Sequence, residues 1–219
     1  MVRKRIAETD QGIQGEFNVR IFDKMQRRMR DRGWLEVKAI IASGIDHGLA
    51  LEIGPGPGYL GLEWLKLTRG TELQGLDISP DMIALAEANA DEYGLVDRVR
   101  YVLGAGQKLP FGGGTFDAVF SNGSLHEWSE PEMTFEEISR VLKPGGRFFI
   151  SDLRRDVLLP VRWFLYLASS PREIRPGLVT SLNAAYTPGE AGELLERTSL
   201  DTGKVRKNPI GLEIVGKKE

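Results

Sequence analysis

Residues 51–61 read LEIGPGPGYLG, with glycines at 54, 56 and 58, prolines between them, and a carboxylate, Glu52, just ahead of the first glycine. Glycine has no Cβ, so it turns tightly and lets a ligand approach the backbone. The prolines each fix φ near −65° and stiffen the loop. Further on, Asp77 closes an apolar run, where a carboxylate can accept hydrogen bonds from the 2′- and 3′-hydroxyls of a ribose. Residues 56–61 (GPGYLG) match G-x-G-x-x-G. Counted from the first glycine, Gly54, that pattern would need glycine where Tyr59 stands, and there is no G-x-x-x-x-G-K-[ST] segment. Glu52 would repel a pyrophosphate and suit an ammonium group. A nucleoside carrying an amino acid meets these requirements; a nicotinamide dinucleotide, as in a dehydrogenase, is a further alternative that Glu52 and the loop register argue against. A salt-bridged strand end is the reading of Glu52 that needs no ligand.

Acid–base candidates are few. The two histidines are His47, in the polar turn GIDHG, and His126, in NGSLHEW. His126 follows a strand on the side where a second substrate would bind and is the candidate general base, with Glu127 a neighbour of the same kind. Orienting the loop is the bland alternative for His126. Asp152 ends a later strand and can line the same pocket. Beyond it, Arg154, Arg155, Arg172 and Arg175 offer cationic contacts, and Trp163, Phe164, Tyr166 and Tyr186 offer apolar walls. Asp152, Arg154 and Tyr186 are the residues expected to bind the second substrate. The absence of cysteine excludes disulfides and thiolate metal ligation. No acid–Asn pair accompanies Asp152, and no metal is expected.

These side chains need a frame. Short apolar runs at 49–53, 73–77, 99–103, 116–121 and 147–152 alternate with helical patterns at 60–67, 80–93 and 131–142. Ser79 is a plausible N-cap and Pro80 a plausible first helical residue. Such alternation implies parallel strands with right-handed crossovers, an α/β doubly wound sheet. Residues 17–43 carry one or two amphipathic helices, and residues 1–16 read as a loose polar lead-in. After Asp152 a helix is expected over 157–168, interrupted by Pro160, then another over 188–198. Residues 203–207 and 210–215 form a closing antiparallel hairpin around Asn208-Pro209. The chain reads as one domain: a helical cap (1–46), a ligand-binding core (47–153), an inserted lid (154–187) and a closing helix and hairpin (188–219).

Composition agrees with a globular protein: 41% hydrophobic, 27% charged, net charge −2. That balance disfavours a general nucleic-acid binder. Basic residues do gather before residue 34 and over 154–175, either as solvated helix faces or as a rim around an anionic substrate. No run is long enough for a membrane span, and the polar N-terminus lacks the apolar stretch of a signal peptide, so a cytoplasmic location is expected.

Four segments in order, LEIGPGPGYLG (51–61), LQGLDISPDMIALAEANA (73–90), LGAGQKLPFGGGTFDAVFSNGSLHEW (103–128) and RVLKPGGRFFISD (140–152), resemble the class I S-adenosylmethionine-dependent methyltransferases, in particular the ubiquinone/menaquinone-biosynthesis type. The resemblance implies a Rossmann-like seven-stranded sheet with one antiparallel strand. It implies S-adenosyl-L-methionine as methyl donor, S-adenosyl-L-homocysteine as product, and a small-molecule acceptor. Glu52, Gly54, Gly56 and Gly58 would hold the methionine end and Asp77 the ribose. Ile78 and Met82 would pack on the adenine, and Ala105, Gly106 and Gln107 would meet its edge. Ser121 and Asn122 would sit beside the sulfonium. One departure stands out: family members often carry Asp where this chain has Ala105. A cofactor-binding regulator without transfer activity is the alternative from another class. A methyltransferase of RNA or protein is a further one, but the stretch Ser121-Asn122-Gly123-Ser124 lacks the N-P-P-[YF] signature for amino groups in nucleic acid. Oligomeric state and the identity of the acceptor are not legible.

Overall fold

The computed structural model describes residues 4–8 and 12–219. Helices α1 (Glu16–Asp31) and α2 (Val37–Ala42) precede the first strand. There follow β1 (Leu49–Ile53), α3 (Tyr59–Leu67), β2 (Glu72–Asp77), α4 (Pro80–Glu92), β3 (Val99–Leu103), β4 (Phe116–Asn122), α5 (Pro131–Val141) and β5 (Leu142–Leu153). Helices α6 (Leu159–Ala168), α7 (Arg175–Ala184) and α8 (Pro188–Leu195) lead to β6 (Lys204–Lys207) and β7 (Gly211–Lys217). The strand order is β3-β2-β1-β4-β5-β7-β6; β7 runs antiparallel to both neighbours and all other pairings are parallel.

Side-chain alternation along the strands sorts the core into two layers. On β1, Leu51 and Ile53 face a layer completed by Phe135 and Ile138 of α5 and Leu194 and Leu195 of α8. Ala50 faces the opposite layer with Leu62, Trp64 and Leu65 of α3 and Ala90 of α4. The same parity divides Val119 from Phe120 on β4 and Phe148 from Phe149 on β5. By this parity Glu52 faces the α3 side, with apolar neighbours. Trp64, the largest fully buried side chain, donates its indole N–H to the Ile45 carbonyl at 2.8 Å.

Three elements differ from the sequence reading. The Lys143-Pro144-Gly145-Gly146 stretch ends α5 as expected, but the chain is already paired as β5 from Leu142. Gly145 N–H donates to Lys218, and Lys218 N–H to Gly146, so the turn residues become the irregular start of the strand. Pro160 does not interrupt α6: it lies in the first turn, where its missing N–H costs nothing. Helix α7 had no expectation at all. Its sequence, RPGLVTSLNA, is a poor helix former with weak amphipathicity. It is held by burial of Leu182 and Ala184 and by Asn183, whose side-chain oxygen accepts from Arg162 at 2.6 Å and whose carbonyl accepts from Ile6 at 3.1 Å.

Helix α8 starts with a full capping box. The Thr187 hydroxyl accepts from Glu190 N–H at 3.2 Å, while the Glu190 carboxylate accepts from Thr187 N–H at 2.8 Å. Replacing Thr187 by Ala is expected to lower stability by about 0.5–2 kcal/mol, read as a shift of the urea midpoint without a change in slope.

Candidate functional site

The order of the sheet reverses between β1 and β4, and a ligand crevice opens outside the carboxyl ends of strands at such a point. The cleft there is lined by Gly54 after β1, Asp77 and Ile78 after β2, the 104–107 loop after β3, and Ser124, Glu127 and Trp128 after β4.

The glycine loop is shaped by left-handed backbone. Gly54, Gly56 and Gly58 have φ of +71°, +53° and +83°. A Cβ at Gly54 would lie 2.7 Å from the Ser124 hydroxyl, and one at Gly58 would lie 2.5 Å from the Tyr101 hydroxyl. No other residue fits both the dihedral and the space. From α4, the buried Asn89 amide clamps the loop by donating to the Pro57 carbonyl at 2.8 Å. Asp77 fixes the loop from the other side: one carboxylate oxygen accepts from Gly56 N–H at 3.0 Å and the other from Ser79 N–H at 2.9 Å. Burial raises the Asp77 pKa despite these backbone donors. Each oxygen keeps acceptor capacity on the cleft side.

Glu52 is buried at 1% exposure beneath the start of α3, with its Oε2 close to Gly61, where a Cβ would clash at 2.3 Å. That oxygen has no hydrogen-bond partner. Burial, with the charge of Asp77 added, pushes its pKa up to about 8. It lies behind the loop, not on the cleft wall. Ile78, Ala105, Gly106 and Gln107 do line the cleft. Met82 is buried within the fold and does not. Ser121 is also buried and acts as a tie between strands, donating to the Ile53 carbonyl at 2.6 Å. Asn122 turns toward β5, donating to the Ser151 hydroxyl at 2.8 Å. Ser124, absent from the sequence reading, takes the place beside Gly54. Its only signal was three-residue spacing from Ser121, which brings the two hydroxyls to 2.6 Å.

His126 is 4% exposed, in a single 3-10 turn (Leu125–Glu127). Its Nδ1 lies 2.9 Å from both oxygens of Asp152, and its backbone N–H donates to the same carboxylate at 2.8 Å. Burial alone would depress its pKa, but Asp152, Glu8 and Glu127 together push it up to about 10. Burial raises the Glu127 pKa to about 7, although His126 pulls it down. Asp152 thus serves His126 from behind. Arg154 points away, pairing with Asp156 at 2.9 Å and donating to the Asn208 carbonyl at 3.2 Å. Tyr186 packs under the Arg5 guanidinium, 4.2 Å above its ring.

The described part of the N-terminal segment is no loose lead-in. Arg5 donates to the carbonyls of Ala184 at 2.6 Å and His126 at 3.1 Å. Gly12 lines the cleft against Ile78, the Ile13 carbonyl accepts from the Ser79 hydroxyl at 2.6 Å, and Gly15 N–H donates to Asp81 at 2.8 Å.

Residues 51–150 match the family model described as "Methyltransferase domain". Over 113 residues the chain is 33% identical to the erythromycin 3''-O-methyltransferase of Saccharopolyspora erythraea, covering 51% of this chain and 37% of that protein. Over 100 residues it is 35% identical to the demethylmenaquinone methyltransferase of Thermus thermophilus, covering 46% of this chain and 44% of the other. The matched stretch therefore spans less than half the length of these relatives. A solved SAM-dependent methyltransferase from Aquifex aeolicus superposes with TM-score 0.67 at 21% identity, covering 88% of this chain and 96% of that one, which shows a shared fold.

Two outcomes are expected. Asp77→Asn should weaken S-adenosylmethionine binding about 10- to 100-fold by calorimetry, the value of a charge-assisted hydrogen bond. For Glu52, the fold favours the protonated carboxyl, so the native state holds a proton that the unfolded chain releases above its ordinary value of 4.5. Stability is therefore greatest below that pH and falls as pH rises toward about 8, by at most about 1.4 kcal/mol per unit from this group. In Glu52→Gln that slope should flatten, as read by urea unfolding between pH 5 and 8. Fold, cleft and comparisons agree: residues 51–150 match the methyltransferase-domain family model, and the chain shares its fold with a solved SAM-dependent methyltransferase.

Proposed function

We propose that this protein transfers the methyl group of S-adenosylmethionine to a small-molecule acceptor. The observation that carries the reading is the cleft at the sheet's switch point. There a cradle of three left-handed glycines and the buried Asp77 carboxylate meet a second, acidic wall at the end of β4. The residues fit the cofactor. Asp77 keeps acceptor capacity for a ribose diol, the left-handed glycines hold the loop in a shape that packing against Ser124 and Tyr101 allows to no larger residue, and the orphaned Glu52 oxygen lies under the loop that would take the methionyl ammonium.

When bound, the cofactor supplies a methyl group already activated by its sulfonium, so the protein's task is alignment and exclusion of water. In this reading Gly54, Gly56 and Gly58 fix the methionyl end and Asp77 the ribose. Ile78 and the 105–107 loop enclose the adenine. The acceptor enters from the side of Ser124 and Glu127, under the N-terminal segment and α7. His126, locked by Asp152, orients this wall. Relatives include a protein named for macrolide O-methylation and one named for demethylmenaquinone. Both names fit an acceptor larger than a simple amine, and an oxygen or carbon acceptor is the reading preferred here.

The test is turnover. Purified protein, S-adenosylmethionine and a pooled metabolite extract should yield S-adenosylhomocysteine together with a product heavier by one CH2, both detected by mass spectrometry. Cofactor binding with no S-adenosylhomocysteine formed from any acceptor would favour the regulatory alternative. Absence of cofactor binding would sink both.

A further inference from the structure

We infer that His126, Glu127 and Glu8 form a binding site for a divalent first-row cation at the acceptor end of the cleft. His126 Nε2 lies 3.3 Å from Glu8 Oε2 and 3.8 Å from Glu127 Oε1. The three ligand atoms all fall within 4.8 Å of one another. Metal bonds of about 2.1 Å separate neighbouring ligand atoms by roughly 3–4 Å, so these donors converge on one point after little movement.

The second observation is the histidine itself. Its side chain is 5% exposed, yet Nε2 makes no hydrogen bond; both carboxylates are near it without being aligned with it. On the far side of the ring, Asp152 receives Nδ1 at 2.9 Å and the His126 backbone N–H at 2.8 Å. With Nδ1–H held by the Asp152 carboxylate, an ion that displaces the Nε2 proton would find that nitrogen facing the two glutamates, the arrangement that orients metal-bound histidines. Charge points the same way. Three carboxylates surround one imidazole, and the nearby Arg5 guanidinium is spent on backbone carbonyls and on the Tyr186 ring.

One imidazole nitrogen with two carboxylate oxygens suits Mn2+, Fe2+ or Zn2+ better than the all-oxygen preference of Mg2+ or Ca2+. Three protein ligands leave coordination positions open, and Glu127 also lines the cleft. If methyl transfer is the activity, the open positions would take an oxygen of the acceptor, a hydroxyl or a carboxylate. Because Glu8 belongs to the N-terminal segment, the ion would also pin that segment across the cleft. This departs from the expectation, drawn from the sequence alone, of no metal.

The experiment uses the full chain freed of metal with a chelator and needs no cofactor, so its result is independent of the methyl-transfer reading. Mn2+ titrated in and followed by electron paramagnetic resonance, with Zn2+ by calorimetry, should bind one ion per chain. Mg2+ should bind at least tenfold more weakly. The Mn2+ signal should show coupling to a histidine nitrogen. Glu8→Gln and Glu127→Gln should each weaken binding at least tenfold while leaving the metal-free melting temperature within a few degrees. His126→Gln should abolish the nitrogen coupling. No saturable binding up to millimolar metal, or binding that both glutamate variants leave unchanged, overturns the assignment; the cluster would then be an imidazolium ion-paired with its carboxylates.

Discussion

The Asp77 carboxylate is the joint on which the cleft depends. It sits at the carboxyl end of β2, buried, and holds two backbone donors from different elements: Gly56 of the loop after β1 and Ser79 at the start of α4. Ser79 caps α4 through Met82 N–H at 3.2 Å and also donates to the Ile13 carbonyl, so the same corner anchors the N-terminal segment. A buried carboxylate is costly unless its acceptors are filled. Here backbone groups fill part of that capacity, and the remainder faces the space a ribose would occupy. Loop conformation and helix start thus share one charge, which the proposed ribose contact would also use.

Much of this corner was legible in the sequence because its determinants are local. Gly54, Gly56 and Gly58 announce a backbone that only glycine adopts, and their φ values are all positive. Ser79 and Pro80 announce a helix start, and Ser79 does accept from Met82. Alternation of apolar positions located all seven strands to within a few residues, except that β5 begins five residues earlier than expected: Leu142 pairs with Phe116 of β4, and Lys218, just past β7, bonds the glycine turn. Periodicity could not place individual side chains in the cleft. Ile78 and Met82 lie one turn apart, yet only Ile78 lines it, because Met82 falls on the buried face of α4. Ser121 falls inside and Ser124 outside for a similar reason: the chain leaves the strand between them.

What the sequence could not show is the company His126 keeps. Asp152 is 26 positions away, and Glu8 lies in a segment with neither apolar periodicity nor a turn signal. Strand pairing between β4 and β5 brings Asn122 opposite Ser151, which sets the histidine's turn beside the end of β5 and makes the contact to Asp152 geometric, not local. Helix α7 completes the arrangement. Its poor helical sequence is stabilised by contacts that other segments supply, and the Glu8 carboxylate accepts from Ser181 of that helix at 3.5 Å. Elements selected for what they touch across the fold carry little one-dimensional signal.

The two ends of the cleft therefore differ in kind. The end at Asp77 and the glycines is built into the sheet and its first two helices, with short hydrogen bonds among buried groups. The other end is assembled from an inserted helix pair, a single 3-10 turn and the N-terminal segment. Helix α6 there buries no residue and leaves Trp163 and Phe164 exposed. Local opening is cheapest where few apolar contacts must be broken. Opening is therefore cheapest at that second end while the end at Asp77 stays formed, and under the proposed methyl transfer the enclosure that keeps water from the methyl group would come from the segments that carry Glu8 and Tyr186. Under the proposed methyl transfer, specificity for the acceptor and closure over it would fall to the same small set of side chains.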